Sequence, residues 1–289
     1  MIKRSVGERV FEIFNILIML ILVFIALYPL YYFIIASFSH PLEVARGHVV
    51  FLPRGFETAS YIRVSETPFF WSSYLNSVFY VTTGTIFSMI LTILGGYALS
   101  KRRLRGRKIF TFLILLHMWF NAGIVPYFLN FLNLGLLNTR VAPILEFAVI
   151  TFNVILMRTF FESIPKEMEE SAKIDGANDI RILFTIYIPT SVPAIATLTM
   201  FYFVERWNRF LWPSLLVSDP DLMPLQVLLR RLIVQTQHIA READAGLTDM
   251  SEQTIIYAAI VLSVVPLICL YPLIQRFFIK GLLVGAIKG

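Results

Sequence analysis

The stretch Glu170–Pro189, ESAKIDGANDIRILFTIYIP, places charges, a glycine and a closing proline inside an otherwise strongly apolar chain. Of the 289 residues, 57% are hydrophobic and only 15% are charged. The mean hydropathy of +0.72 exceeds what a soluble domain of this length needs. The composition therefore indicates an integral membrane protein, and the quoted stretch is a polar interruption that the fold has to explain.

Six apolar runs lie before and after this stretch, and each approaches or exceeds the ~20 residues that a helix needs to cross a bilayer. The first run follows basic residues and is longer than the apolar core of a signal peptide, so we interpret it as an anchor. We predict an all-α polytopic membrane protein with six transmembrane helices, at about 13–38, 74–99, 109–128, 140–160, 190–212 and 254–276.

The basic residues predict the topology, because Lys and Arg near the ends of spans are retained in the cytoplasm. The densest run, KRRLRGRK at 101–108, follows the second predicted span, whereas the turn at 129–139 contains no basic residue. We therefore expect both termini in the cytoplasm (N-in/C-in). The chain then divides into an N-terminal region of residues 1–73 and a transport core of residues 74–289, with a cytoplasmic loop 161–189 and external loops 39–73 and 213–253.

The cytoplasmic loop contains signals for two short helices. Ser163 and Pro165 suit the start of a helix, because a capping side chain and a first-turn proline both fit where backbone N–H groups lack partners. That helix is expected to stop near Gly176, and Asn178 or Asp179 can cap the second one. From the residues alone, this helix–turn–helix is either a contact for another protein or an interfacial elbow.

The residues of this loop also carry a family resemblance. From Glu170 the sequence reads E-S-A-x-x-D-G-A, and from Ile186 it reads I-x-I-P. This resembles the EAA loop of carbohydrate-uptake ABC importer permeases, E-A-A-x-x-D-G-A followed by I-x-L-P, with mild departures at Ser171 and Ile188. The chain is similar to the second membrane subunit of maltose- and alginate-type importers, in the subgroup for large or acidic saccharides. Further segments that carry the resemblance are 133–145, 153–177, 207–216, 224–232 and 277–289.

The resemblance implies a type I ABC importer permease fold, in which this loop is a coupling helix that docks into a separate ATPase subunit. It assigns ATPase coupling to Glu170, Ser171, Ala172, Asp175, Gly176 and Ala177. It assigns a C-terminal ATPase contact to Gly281, Gly285 and Lys288. The competing interpretations are a solvated charge at Glu170 and a frayed terminus for the tail.

The implied partners are a second, similar permease that forms a heterodimer with this chain, two ATP-binding cassette subunits and an extracytoplasmic solute-binding protein. The sequence has no G-x-x-x-x-G-K-[ST] loop, so we expect no P-loop ATP site and no enzymatic activity in this chain. ATP and Mg²⁺ would be bound by the partner ATPases. We expect no cofactor and no nucleic acid on this chain, and a location in the bacterial inner membrane.

Polar residues inside apolar spans are costly and indicate a cavity or a partner helix. Candidates for the substrate path are Trp119, Asn121, Asn153, Trp207, Asn208 and Arg209, beside Glu205, Arg206 and Trp212. The alternatives are an aromatic belt at the membrane surface and hydrogen bonds between helices; Glu146 could simply neutralise an arginine. The loop 213–253 resembles the loop that contacts the binding protein in similar permeases, and this resemblance makes Gln226, Arg230 and Arg231 the candidates for that contact. Together with the subgroup resemblance, the arginines predict an acidic oligosaccharide such as a uronate oligomer.

Two other function classes stay open at this point. An ion-coupled secondary transporter for a small polar solute would need a membrane-embedded acidic site, for which Glu205 is the candidate. A membrane enzyme would need clustered carboxylates or His–Asp pairs near one membrane face, and none stands out. One cysteine, Cys269, and four scattered histidines give no basis for an internal disulfide or a metal site.

Overall fold

The structure is a computed structural model that describes residues 6–120, 122–242 and 248–286. Regular structure within these ranges is helical, which confirms the predicted all-α class. The helices are, in order, α1 Val6–Ser37, α2 Pro41–Ala45, α3 Ala59–Glu66, α4 Phe70–Ser100, α5 Arg107–Trp119, α6 Ile124–Asn133, α7 Val141–Leu145, α8 Thr151–Glu162, α9 Lys166–Ile174, α10 Asp179–Ile182, a π-helix Leu183–Tyr187, α11 Ile188–Thr190, α12 Val192–Asn208, α13 Leu211–Leu216, a 3₁₀ turn Pro220–Leu222, α14 Leu225–Glu242 and α15 Thr248–Ala286.

Three helices among the described residues are long and apolar enough to cross a membrane: Val10–Ser37 within α1, α4 itself, and Gln253–Pro272 within α15. Two bent helix pairs raise this number to five if each pair is one span. The pairs are α5 with α6, bent by 115°, and Asp179–Thr190 with α12, bent by 83°. The structure therefore supports three to five spans where the hydropathy predicts six.

The difference arises in the predicted fourth span, 140–160, which is interrupted. α7 is five residues long, Glu146 follows it in a non-helical conformation, and the next helix starts at Thr151. That helix, α8, has 12 residues. Its length of ~18 Å is short of the ~30 Å hydrocarbon core. Residues 147–150 are apolar, so hydropathy continues through a break that the backbone makes with Phe147 at φ 45°.

The long helix α4 connects two distant regions of the transport core. Near its start, Asn76 Nδ2 donates to the carbonyl oxygen of Asp221 at 2.7 Å, and Ser77 Oγ accepts a hydrogen bond from Leu225 N at 2.7 Å. Just after its end, Lys101 contacts the 161–189 loop. At 1.5 Å rise per residue, Ser77 and Lys101 are ~36 Å apart. The start of the 213–253 loop and the 161–189 loop therefore contact opposite ends of one helix.

A buried cluster packs α4 against α8 and against the helices between residues 179 and 208. Gly96 permits the close approach of α4 and α8, since a Cβ there would lie 3.0 Å from Met157 Cβ and 3.1 Å from the backbone nitrogen of Arg158. The cluster consists of Met89, Tyr97, Met157, Phe161, Ile182, Leu183, Tyr187, Leu198 and Tyr202. This packing places the end of α4 beside the 161–189 loop.

The chain divides into two compact units, residues 1–70 with 229–265 and residues 71–228 with 266–289. The first unit has a small core of Ile35, Ala36, Val44 and Val49. Along most of α1, however, the large apolar side chains are exposed. Such a surface on a helix of membrane-spanning length faces lipid or another protein chain.

Candidate functional site

The 161–189 loop folds as the predicted helix–turn–helix. α9 starts directly after Pro165, and Gly176 turns the chain with φ 78°, a left-handed conformation that favours glycine. Asn178 accepts a hydrogen bond from Arg181 N at 2.8 Å through its side chain and so caps α10. Ser163, in contrast, ends α8 and does not start α9. Both predicted helices and the turn between them are confirmed, with the start moved to Pro165.

This loop has an inner and an outer face. Ala172 and Ala177 are partly buried against the α4–α8 core. Glu170 is exposed, and Ile174, one turn later on the same side of α9, is 87% exposed. Three further large apolar side chains of the loop are exposed: Met168, Ile180 and Phe184. Exposed apolar side chains grouped on one element are typical of a surface that contacts another protein or a membrane.

One carboxylate of α9, that of Glu169, faces inward and collects three donors. Its Oε2 accepts hydrogen bonds from Lys101 Nζ at 2.5 Å and from the Tyr187 hydroxyl at 2.7 Å, and its Oε1 accepts from Lys173 Nζ at 2.5 Å. Lys101 Nζ also lies over the rings of Tyr97 and Tyr187, 4.1 Å and 3.8 Å from their centroids. We call Lys101, Glu169, Lys173 and Tyr187 the Glu169 cluster.

The electrostatics of this cluster keep Glu169 ionised. Burial opposes its ionisation, but the hydrogen bonds from Lys101, Lys173 and Tyr187 outweigh burial and lower the pKa of Glu169 from 4.5 to about 2. A cavity of about 540 Å³ beside the cluster is lined by both Glu169 and Glu170. The inward and the outward carboxylate of α9 therefore border the same open space.

A second charge cluster lies between α4, α7 and the end of α12. The Glu146 side chain accepts a hydrogen bond from Arg209 Nη1 at 2.9 Å, and Glu146 is only 1% exposed. Arg206 donates to Ser88 Oγ at 2.8 Å and to the carbonyl oxygen of Pro143 at 3.1 Å. We call Glu146, Arg206 and Arg209 the Glu146 cluster. The predicted neutralisation of an arginine by Glu146 is confirmed, with Arg209 as the partner.

The Glu146 cluster is incompletely bonded. Glu146 Oε2 and Arg206 Nε are buried and have no hydrogen-bond partner within the residues that the structure describes. Gly84 leaves room for the guanidinium group, since a Cβ there would lie 2.7 Å from Arg206 Nη1. A cavity of about 20 Å³ is lined by Glu146, Arg206, Arg209, Trp207 and Gln226 among others. This volume is enough for one water molecule.

The other path candidates are spread over the structure. Trp207 is 2% exposed and Asn153 is 1% exposed, so both lie in the interior. Trp119 is 80% exposed. Asn208 is exposed and donates to a carbonyl oxygen one turn earlier in its own helix, at 2.9 Å. Asn121 lies outside the described residues. Of the six candidates, the structure places Trp207 and Arg209 along the lining of one cavity.

The candidates for contact with partner proteins fall on three elements. α14 carries Gln226, which is partly buried, and the exposed Arg230 and Arg231. α14, with 18 residues, lies within the 213–253 loop. In the 161–189 loop, Ser171, Asp175 and Gly176 are exposed. Gly281 and Gly285 lie within α15, whereas Lys288 is outside the described residues.

Sequence reasoning does not single out Lys101 or Gly84, although each shapes a charge cluster. Lys101 lies in a basic run that indicates topology, and its partner Glu169 is 68 residues away along the chain. Helical spacing links Glu169 to Lys166 and Lys173, but not to Lys101. A lysine at the end of an apolar span is a weak signal, because such residues usually extend to the membrane surface.

Residues 92–284 match the model of a family described as the binding-protein-dependent transport system inner membrane component. The chain belongs to this family. The match includes α8, the 161–189 loop and α12, so it covers every residue of both charge clusters, and it begins in the last third of α4. In this family the permease is the membrane component of a transporter, which agrees with the apolar spanning helices.

Individual relatives narrow the class of transporter. The permease is 39% identical, over 98% of its length and 99% of the relative's, to the polygalacturonan/rhamnogalacturonan transport system permease protein YtcP of Bacillus subtilis. It is 30% identical to the arabinooligosaccharides transport system permease protein AraQ of Halalkalibacterium halodurans, over 92% of both chains. The crystal structure of a bacterial ABC transporter for import of the acidic polysaccharide alginate contains a chain with a TM-score of 0.86 and 40% identity, covering 96% of this chain and 100% of that one. The protein is a permease subunit of a sugar or oligosaccharide ABC importer.

Proposed function

We propose that this permease moves an acidic oligosaccharide of the uronate type into the bacterial cytoplasm, driven by ATP hydrolysis in two partner ATPase subunits. Those subunits bind ATP and Mg²⁺, and this chain catalyses no covalent reaction. A second, similar permease completes the path as a heterodimer. An extracytoplasmic solute-binding protein delivers the substrate, and the permease lies in the inner membrane with both termini in the cytoplasm.

The observation that carries the coupling role is the outer face of the 161–189 loop. Glu170 occupies the acidic position of the family motif and is exposed, with the 87% exposed Ile174 one turn away. A cation of the ATPase would pair with Glu170, and an apolar cleft would cover Ile174. Removing such a side chain from water contributes about 1.5–3 kcal/mol. Closure of the ATPase subunits would then move α9 and the helices packed against it.

The length of α4 supports the proposed sidedness. Its two ends contact the 161–189 loop and the start of the 213–253 loop, ~36 Å apart, which exceeds the ~30 Å hydrocarbon core. A cytoplasmic 161–189 loop therefore implies an external 213–253 loop. Gln226, Arg230 and Arg231 would then face the binding protein, and Gly281, Gly285 and Lys288 would reach the ATPases.

Two observations support an acidic substrate. A relative named for polygalacturonan transport and a solved importer of alginate both resemble this chain closely over nearly its full length. In the Glu146 cluster, Arg206 bonds to neutral oxygens, those of Ser88 and Pro143, so no carboxylate contacts its charge directly in the described structure. Ser88 lies ~20 Å along α4 from Lys101. Because Lys101 is at one end of α4, this distance places Ser88 and the guanidinium group bonded to it within the depth of the membrane. A guanidinium group at that depth favours a substrate carboxylate.

The complete importer, reconstituted in vesicles with its ATPases and binding protein, tests the coupling role. We expect Glu170→Ala and Gly176→Pro to abolish the ATPase activity that the loaded binding protein stimulates. Glu170→Ala removes the proposed partner of the ATPase cation, and in Gly176→Pro the proline cannot adopt the φ of 78° that the turn requires. Glu167→Ala, an exposed residue of the same helix, is the matched control and should retain activity. Uptake that needs no ATPase, with both variants silent, would contradict the proposal and favour an ion-coupled secondary transporter.

The substrate class has a separate test. Oligogalacturonate and its methyl-esterified form have the same sugars and length but differ in charge. We expect uptake of the acidic form to exceed that of the esterified form by at least about tenfold, since a buried cation loses its partner when the carboxylate is removed. Equal uptake of the two forms would show that the importer does not select for charge.

A further inference from the structure

We propose that the Glu169 cluster is the mechanical connection between the coupling helix α9 and the membrane helices, with Glu169 and Lys101 as positioning residues. Glu170 receives the ATPase, and Glu169 passes the resulting movement of α9 to α4 and to the π-helix at 183–187. This inference rests on the proposed coupling function and names the residues that make it effective.

The first argument is the origin of the three donors. Lys173 belongs to α9 itself, whereas Lys101 directly follows α4 and Tyr187 ends the π-helix. The carboxylate of Glu169 therefore joins three elements at one point, with distances of 2.5, 2.5 and 2.7 Å. Hydrogen bonds to ionised groups are the shorter and stronger class, so this junction is more rigid than a neutral contact.

The second argument is that α9 has few apolar contacts with the core. Of its side chains, Ala172 packs against the buried cluster, whereas Met168 and Ile174 are exposed. An alanine buries little apolar area and transmits little force by packing. The side chain of Glu169, with 13% of its surface exposed, supplies a polar attachment of α9 to the rest of the transport core.

The third argument concerns the contacts and the burial of Lys101. Its ammonium group lies over the rings of both Tyr97 and Tyr187, and Tyr97 also donates to the carbonyl oxygen of Asp179 at 3.0 Å. Lys101 is 9% exposed, so it is held in place and does not extend into water. Tyr97 and Tyr187 are both members of the buried core cluster. A displacement of Glu169 is therefore passed directly into the core between α4, α8 and the π-helix.

The experiment uses the complete importer and compares Glu169→Gln, Lys101→Met and the double variant with Glu167→Gln as the matched control. The measured quantities are the amount of assembled complex, the ATPase activity and the number of saccharides taken up per ATP. We expect Glu169→Gln and Lys101→Met each to lower uptake per ATP by about tenfold or more. Glu169→Gln leaves the ammonium group of Lys101 without its carboxylate, and Lys101→Met leaves Glu169 bonded to Lys173 and Tyr187 but not to the end of α4. The complex should remain assembled, since Glu170 is untouched, and Glu167→Gln should behave as wild type.

The double variant separates a connection from a general loss of structure. If Glu169 and Lys101 act through each other, the double variant is no worse than either single variant. Lys101→Arg, which keeps the charge, should recover some of the uptake per ATP. Additive losses, or a loss of uptake that simply follows a loss of assembled complex, would overturn the inference.

Failure of this inference differs from failure of the proposed function. One set of results would reject only the role of the Glu169 cluster: the wild-type importer couples uptake to ATP hydrolysis, Glu169→Gln behaves as wild type, and Glu170→Ala is inactive. A silent Glu170→Ala with ATP-independent uptake would reject the coupling function itself.

Discussion

The two charge clusters of this permease differ in how completely their polar atoms are bonded. In the Glu169 cluster, both carboxylate oxygens accept hydrogen bonds from charged donors, and the lysine ammonium group also lies against two rings. In the Glu146 cluster, one carboxylate oxygen and one guanidinium nitrogen are buried without a partner among the described residues. One cluster lies at the end of α4 and the other beside its middle.

This difference separates a fixed connection from a site that can exchange partners. In a low local dielectric, a fully bonded network is strengthened, whereas an unbonded polar group costs about 1–3 kcal/mol. A protein retains such a cost mainly where function requires it. The Glu169 cluster is thus suited to transmit movement, whereas the Glu146 cluster has polar atoms left to bond a water molecule or a polar ligand.

The largest expected effect is that of Glu146→Met. Arg209 would keep the half-exposed Glu205 and its contact with the Phe147 ring, but its charge would lose the buried partner Glu146. We expect the free energy of unfolding to fall by about 3–5 kcal/mol, as for other broken buried pairs. Thermal unfolding of the purified complex measures this effect. The double variant Glu146→Met/Arg209→Met should recover most of the loss, and a double variant as unstable as the single would contradict the pairing.

A smaller loss is expected for Gly84→Ala. The new Cβ would lie 2.7 Å from Arg206 Nη1 and would displace the guanidinium group from Ser88 and Pro143. We expect destabilisation by about 1–3 kcal/mol, the usual cost of overpacking. Gly95→Ala on the same helix is the control, since its Cβ would meet Val154 Cγ1 at an ordinary 3.6 Å. Equal unfolding temperatures for the two variants would show that Arg206 moves freely.

The pH dependence of stability tests the Glu169 cluster. The pKa of Glu169 falls from 4.5 to about 2 on folding, so its contribution is fully present above pH 4.5. As the pH falls from 4.5 towards 2, the carboxylate is protonated and this contribution is lost. We expect the wild type to lose on the order of 1 kcal/mol more than Glu169→Gln over this range. Parallel unfolding curves for the two proteins in acid would contradict the pKa shift.

The smallest effect is expected at the exposed ion pair between Arg103 and Asp179 of the 161–189 loop. Both side chains are about half exposed, at 51% and 55%. Arg103→Gln should therefore change the free energy of unfolding by less than about 0.5 kcal/mol. The neighbouring Arg102→Gln is the control for loss of charge alone. A loss above about 1 kcal/mol, the upper end for exposed pairs, would mean that this pair also belongs to the connection.

The sequence by itself determined the features that depend on neighbouring residues. Pro165, Gly176 and Asn178 specify the start, turn and cap of the 161–189 loop through local backbone preferences, and the structure has all three. The long apolar runs likewise specify α1, α4 and most of α15, because crossing a bilayer requires only length and hydropathy. The family motif from Glu170 is also a run of neighbouring residues, so the sequence alone was enough to recognise it.

Only the tertiary structure decided which of two adjacent carboxylates faces the core. Glu169 and Glu170 have the same chemistry and differ by one position on α9. Glu169 faces inward because Lys101, at the end of α4, lies where it can bond to the carboxylate. The position of Lys101 in turn depends on the packing of Gly96 against Met157. The break at 146–150 and the pairing of Glu146 with Arg209 likewise depend on packing between segments that are distant in the sequence. Contacts between distant residues follow from how helices pack, and the preference of a single segment does not contain that information.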